Sequence, residues 1–246
     1  MQNDWFRTDV PRIIAETKLI YQRLVEKYPD KTLEATTIQK IIQERHWEES
    51  LPIYEGRFRD VVTRLGCLYI PKLIIPGPAF IFPMRSADGT YPRAQTKPLE
   101  GSALWSVDGK YQYVGDKEKY IGPNWLGNDP ETIRQIIETQ SVMCVEGPFD
   151  LLAMRLICPS FPIMSPLTKK VGKNHIAYLR ILGVKRLLLM YDNEIQGEES
   201  MEQQRRNIKV MQVITCECTK KDPSKALEKY EWARDLQSRT AKYFEY

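Results

Sequence analysis

The sequence predicts an α/β protein whose larger part is a mostly parallel sheet flanked by helices. Three observations carry this. Apolar strand-length runs alternate with helical patterns from about residue 130 to the end, which calls for a parallel sheet with helices on both faces. Two of those runs, Val142–Val145 and Arg186–Tyr191, each end in acidic residues at a strand-to-helix corner. Before them lies a stretch of short β segments, and before that a helical one.

Residues 1–66 read as a helical N-terminal region. Asp9 caps a helix with Pro11 in its first turn, and Ile13, Thr17, Ile20 and Leu24 recur at helical spacing until Tyr28-Pro29 stops it. Thr36 to Gln39 has the capping-box pattern that opens a second helix. A third is expected over Gly56–Leu65, ending at Gly66. Trp5, His46 and Trp47 read as packing and surface residues, and no recognisable chemistry stands here.

Residues 67–138 read as β-rich. Ala79–Arg85 and Thr90–Lys97 flank an Asp88-Gly89 turn, and Leu104–Val107 and Lys110–Val114 flank a turn at Asp108-Gly109, both hairpin signals. Asp129-Pro130-Glu131 is a helix start, a cap followed by proline.

Residues 139–246 hold the main sheet and a C-terminal helix. Strand Val142–Val145 delivers Glu146, Gly147-Pro148 turns the chain, and Asp150 falls in the first turn of helix Phe149–Ile157. Phe161–Met164 reads as a short buried strand and His175–Ile181 as a helix. Strand Lys185–Tyr191 ends in Asp192-Asn193-Glu194, with Gly197 three residues on. Glu198–Asn207 is a polar helix, Ile208–Thr215 a strand, and Pro223 to about Tyr243 one long helix or two shorter ones.

In an open parallel sheet the C-terminal strand ends share one rim, where ligands bind. Glu146, Asp192 and Glu194 should therefore converge. Crowded carboxylates must take up protons or bind a cation, and an oxygen-only set suits Mg²⁺. Taken singly, each acid has a plainer reading. Glu146 could be a solvated turn residue, Asp150 a helix-dipole partner, Asp192-Asn193 a turn, and Asp222 before Pro223 a cap. Their joint occurrence at successive strand ends is what those readings leave unexplained. His175 reads as a packing or surface histidine.

Composition sets the outer bounds. The chain has 246 residues, 42% hydrophobic and 28% charged, with a formal net charge of +4. No apolar run of about 18 residues could span a bilayer, and the first ten residues lack the pattern of a secretory signal. Five cysteines without CxxC spacing argue against a disulfide framework or zinc ribbon, so a reduced, cytoplasmic setting is expected. From Leu151 to Met190 there is no Asp or Glu, yet Arg155, Lys169, Lys170, Lys173, Arg180, Lys185 and Arg186 are present. This span reads equally as a solvated face or as a phosphate-tracking surface. No Walker A motif is present, which argues against an ATP-driven helicase in this chain.

The corner VEGxxD after an apolar strand, then a strand ending in acid-x-acid with a nearby glycine, resembles the Toprim domain of DnaG-type primases, topoisomerases, recombination mediators and some nucleases. The resemblance is nearest to the bacterial primase catalytic core. Phe82-Pro83-Met84-Arg85 with Asp88-Gly89 is similar to the primase strand and turn "FPIR…G", Lys119-Tyr120-Ile121 to "KYLN", His175-Ile176 to the helix between the acidic corners, and Lys221-Asp222-Pro223 to "DPD". Together these span roughly residues 79–227. The chain departs from the pattern at Glu194, where the second acid is usually Asp, at Ser224, in the third place of "DPD", and at Ser165–Thr168, where "Leu-Gly-Thr" is usual.

The resemblance implies a DNA-dependent primase core, the β-rich stretch being its N-terminal subdomain. It would make short RNA primers on single-stranded DNA from ribonucleoside triphosphates with Mg²⁺ or Mn²⁺. Glu146, Asp192 and Glu194 would be catalytic, Asp222 would join them as a metal ligand, and Asp150 would support them. Arg85, Arg93, Lys97, Lys119 and Lys221 would contact nucleic acid or nucleotide. The sequence shows no pattern of the zinc-binding module or helicase-binding tail of larger primases, so on this resemblance a replicative helicase or a zinc-bearing partner is expected to complete a minimal core of the kind a phage or mobile element encodes. The alternatives are a Toprim nuclease cutting DNA or RNA, or a degenerate Toprim module that binds nucleic acid or a partner.

Overall fold

A computed structural model describes residues 33–70, 78–91, 93–99, 112–115 and 122–244. The helix expected at 13–24, most of the second hairpin and the Lys119–Ile121 segment lie outside them. The chain divides into two compact units, one of residues 1–41 and 62–122 and one of residues 42–61 and 123–246. No described helix is long and apolar enough to cross a membrane.

Helix α1 spans Leu33–Arg45 and α2 spans Leu51–Leu65. The first begins upstream of the Thr36 capping pattern, so Thr36 lies inside the helix and does not cap it. Thr37 is buried, and its hydroxyl instead accepts the Tyr69 N–H at 3.0 Å. The second begins five residues before Gly56 and stops at Gly66, whose φ of +63° is the left-handed stop that glycine supplies.

The first unit carries an antiparallel sheet in the order β1 (Leu68–Ile70), β2 (Ala79–Met84), β3 (Arg93–Pro98), β4 (Gln112–Gly115). Strand β2 is central and buried throughout. Pro83 is tolerated there because β1 pairs only with Ala79 to Ile81, leaving no ladder partner on that side for the missing N–H. The Asp88-Gly89 turn forms as expected, with Gly89 at φ +87° and Asp88 Oδ1 accepting the Thr90 N–H at 3.0 Å.

The second unit carries the parallel sheet. Helix α3 (Pro130–Thr139) precedes β5 (Ser141–Val145), α4 (Pro148–Ile157), β6 (Ile163–Met164), α5 (Lys173–Ile181), β7 (Arg186–Met190), α6 (Ile195–Asn207), β8 (Gln212–Thr215), a 3₁₀ helix (Pro223–Glu228) and α7 (Tyr230–Ala241). The strand order is β6-β5-β7-β8, all parallel, with Val142 opposite Leu187 and Leu187 opposite Val213. One face of β5 and β7, Val142, Cys144, Leu187 and Leu189, packs with Ile136, Leu179 and Met201 of α3, α5 and α6. The alternate residues Met143, Val145, Leu188 and Met190 are as deeply buried, and the remaining helices, α4, the 3₁₀ helix and α7, pack on one another. Both faces are thus covered, as a parallel sheet requires. The C-terminal pattern resolves into two helices because Lys229 is extended (φ −136°, ψ 138°).

Candidate active site

Three turns of backbone build the rim at the C-terminal strand ends. After β5, Glu146 is held by the Ser165 hydroxyl, which donates to its carbonyl at 2.8 Å. Gly147 then caps α4, its N–H donating to Asp150 Oδ2 at 3.0 Å. After β7, the Asn193 N–H donates to the Lys221 carbonyl at 2.6 Å, which sets the 219–222 segment beside Asp192 and Glu194. The Asp192 carbonyl lies so close to Gly197 that a Cβ there would fall far inside van der Waals contact. The third turn is Asp222, which caps the 3₁₀ helix by accepting the Lys225 N–H at 2.9 Å and also accepts the Ser224 hydroxyl.

The acids feel one another. Burial pushes the Glu146 carboxyl up to about 7, with Asp192, Glu194 and Asp222 adding repulsion and Lys169 opposing it. Asp192 is raised by burial, then by Asp222 and Glu194, against the pull of Lys169 and Lys221. Asp150, behind the rim, is pushed up to about 8 by burial and by Asp222 and Asp192, while Arg45 and the Gly147 N–H pull it down. Two lysines lean in: Lys169 Nζ is 3.9 Å from Glu146 Oε2, and Lys221 Nζ is 3.0 Å from Glu194 Oε1.

Among the described residues no three acids, histidines or cysteines already stand in metal-ligating geometry. The donor set nevertheless fits a hard cation. It is all oxygen, its members repel one another, and Glu146 Oε2 is buried with no hydrogen-bond donor. Asp150 and Asp222 differ in being supplied by the chain itself. Asp150 Oδ1 accepts the Ser224 N–H at 3.3 Å, and Arg45 Nη2 lies 3.8 Å from Asp222 Oδ1.

The basic residues named from sequence divide by place. Lys221 is on the rim. Arg93 and Lys97 share one face of β3, opposite Met84 and Phe80, and Arg93 lies 4.3 Å over the Tyr113 ring. Arg85 follows β2, its guanidinium against Gly89. Lys119 lies outside the described residues. In the acid-free span only Lys169 reaches the acids. Arg155 is buried, paired with Asp129 at 2.7 Å and donating to the Gly127 carbonyl at 2.6 Å, so it tracks no phosphate. Lys185 and Arg186 stand at the start of β7, the end of the sheet away from the acids. His175 packs edge-on against Trp125 and bonds Gly172 N and Asn124 O, and burial lowers its pKa. All five cysteines are free and buried. Sequence spacing gave no signal for Arg45, which meets Ser224 across the length of the chain. Beside the rim, a cleft of about 620 Å³ opens between the ends of β7 and β8, lined by Asn193, Glu198, Thr215 and Arg239 among others.

No protein-family model matches the chain, and a comparison with curated proteins finds no match. Solved structures do match. The RNA polymerase domain of Mycobacterium tuberculosis primase DnaG, in complex with double-stranded DNA, superposes with a TM-score of 0.64 at 17% identity, over 92% of this chain and 78% of that one. A DNA primase domain from Pseudomonas aeruginosa gives 0.55 at 15%, over 95% and 80%. The primase fragment of the bacteriophage T7 primase-helicase gives 0.54 at 13%, over 74% and 69%. The chain has the fold of these primase domains, including the parallel Toprim sheet.

Proposed function

We propose that the chain is the catalytic core of a DNA-dependent primase, joining ribonucleoside triphosphates into short RNA primers on single-stranded DNA. The observation that carries this reading is the acid rim at the ends of β5 and β7, in a fold shared with primase domains. Glu146, Asp192 and Glu194 would hold Mg²⁺ or Mn²⁺, with Asp222 at their flank. A cation held by these residues would supply positive charge against the negative charge that builds up on the phosphates in nucleotidyl transfer.

The chain's own groups do the rest. Glu146 offers a buried oxygen that makes no hydrogen bond, with Lys169 Nζ 3.9 Å away. Asp150 fixes the corner from behind through the Gly147 and Ser224 N–H groups. Lys169 and Lys221, now on the carboxylates, would turn to phosphate oxygens when a cation takes over the acids. Arg85, Arg93, Lys97 and Lys119 would meet template or nucleotide phosphates. A replicative helicase or a zinc-bearing protein would supply template selection, in a cytoplasmic setting.

The test is primer synthesis by the purified protein on mixed-sequence single-stranded DNA with labelled ribonucleotides and Mg²⁺ or Mn²⁺. Short products that vanish in Glu146→Gln and Asp192→Asn are expected. Products that persist in both variants would refute the assignment. Labelled DNA cut in the absence of nucleotides would point to a nuclease instead.

A further inference from the structure

We infer that Arg45 stands in for a second cation at the rim, so that the acids hold one divalent ion rather than two. This rests on the cation-dependent reading above and concerns how the chain's own residues share out the negative charge.

The carboxylates fall into two groups. Asp222 Oδ1 is occupied by the Lys225 N–H at 2.9 Å and by the Ser224 hydroxyl, with Arg45 Nη2 at 3.8 Å. Both oxygens of Asp150 accept backbone N–H groups, from Gly147 at 3.0 Å and Ser224 at 3.3 Å. Asp150 thus has both oxygens taken, and Asp222 has its Oδ1 taken. Glu146 Oε2, in contrast, is buried without a donor. An ion is needed at the Glu146, Asp192 and Glu194 side of the rim, and a fixed positive charge already serves the Asp222 side.

Arg45 is held on two sides where Lys221 is not, and it is somewhat less exposed than Lys169. Its Nη2 donates to Ser224 Oγ, and its guanidinium lies 4.8 Å over the Phe149 ring. Trp47, two residues on, donates its indole N–H to the Ser224 carbonyl at 2.8 Å, so the turn at Ser224 is gripped from both sides. The Arg45 side chain is 25% exposed, whereas that of Lys221 is 61% exposed and free to swing away.

Ser224 makes this arrangement possible. Its hydroxyl donates to Asp222 and accepts from Arg45 in one short relay. An aspartate at 224, the residue usual in the primase pattern, would add a further carboxylate beside Asp222 and with it a reason to hold a second ion.

The experiment is a Mn²⁺ titration of the full chain, counting bound ions from the loss of the free-ion electron-spin signal. The variants are Arg45→Met, Arg45→Lys, Ser224→Ala and Glu146→Gln, with circular dichroism to confirm folding. Wild type should take up one tight ion, lost in Glu146→Gln. Arg45→Met should gain a second ion or bind the first more tightly, on the order of tenfold for removing a nearby like charge. Arg45→Lys should behave as wild type, and Ser224→Ala should move in the direction of Arg45→Met should that variant fail to fold. Two tight ions in wild type, or unchanged count and affinity in Arg45→Met and Ser224→Ala, would overturn the inference. No tight ion at all would instead sink the cation-dependent reading beneath it.

Discussion

Gly197 and Gly56 mark opposite ends of what a single methyl group can do in this chain. A Cβ at Gly197 would collide with the Asp192 carbonyl oxygen, and that carbonyl belongs to the corner that carries two of the rim acids. Gly197→Ala must therefore move backbone, and overpacking of this kind costs about 1–3 kcal/mol. We expect a lower melting temperature together with loss of primer synthesis. Gly56 lies exposed inside α2, with nothing within 4 Å of where a Cβ would stand. Gly56→Ala should stabilise by about 0.5–1 kcal/mol, since glycine inside a helix gives up more backbone freedom on folding. A melting temperature that rises in Gly197→Ala, or falls in Gly56→Ala, would contradict this. The difference between legible and illegible residues is also visible at this scale. Glu146, Asp192 and Gly197 could be picked out because each sits at a fixed offset from an apolar strand. Arg45 could not, because its partners Ser224 and Asp222 are brought to it only by tertiary folding.

At the scale of elements, α3 and α4 are locked by one buried ion pair. Asp129 caps α3, accepting the Thr132 N–H at 3.2 Å, and its other oxygen pairs with Arg155 from α4 at 2.7 Å. The same guanidinium donates to the Gly127 carbonyl and the Thr132 hydroxyl, both at 2.6 Å. Removing one partner of a buried pair leaves an uncompensated charge and costs about 3–5 kcal/mol. Arg155→Met should therefore lower the denaturant midpoint strongly, and Asp129→Asn, which keeps an oxygen for the cap, should lower it less. Equal midpoints for Arg155→Met and wild type would show the pair to be dispensable. Elements whose signals are local were readable from sequence: the start of α3 from Asp129-Pro130, the end of α2 from Gly66, the two acidic corners from apolar strand followed by turn. Boundaries fixed by distant contacts were not. The helix expected to open at Thr36 starts at Leu33 with Thr36 inside it, and the neighbouring Thr37 hydroxyl accepts the Tyr69 N–H of β1; Arg155 looked like a surface charge because its partner lies outside the acid-free span that contains it.

For the whole molecule, the rim makes stability depend on pH in a sense opposite to that of most carboxylates. Glu146 is raised from 4.5 to about 7 and Asp150 from 3.8 to about 8. Folding therefore favours their protonated forms. Their contribution is fully present below about pH 4, where both folded and unfolded chains hold the proton, and it is lost as pH rises through 7 to 8. Each unit of such a shift is worth roughly 1.4 kcal/mol, so even a fraction of these shifts would register. Asp88, whose pKa is lowered by bonds from Thr90, has the opposite sign, but it is exposed and titrates below this window. Without divalent ions, the melting temperature should fall between about pH 5 and about pH 8.5. A cation at the rim favours the ionised acids, so Mg²⁺ or Mn²⁺ should stabilise most at the alkaline end and least at the acid end, with protons released on binding. Glu146→Gln removes one of the three raised carboxyls, Asp192 being raised as well, and the oxygen best placed to meet the ion. It should flatten the pH dependence and abolish most of the stabilisation by cation. Thermal unfolding across this range, with and without Mn²⁺, decides the matter: a cation-free melting temperature that climbs toward alkaline pH would mean that the acids are ionised at no cost to folding, and that nothing about the rim asks for an ion.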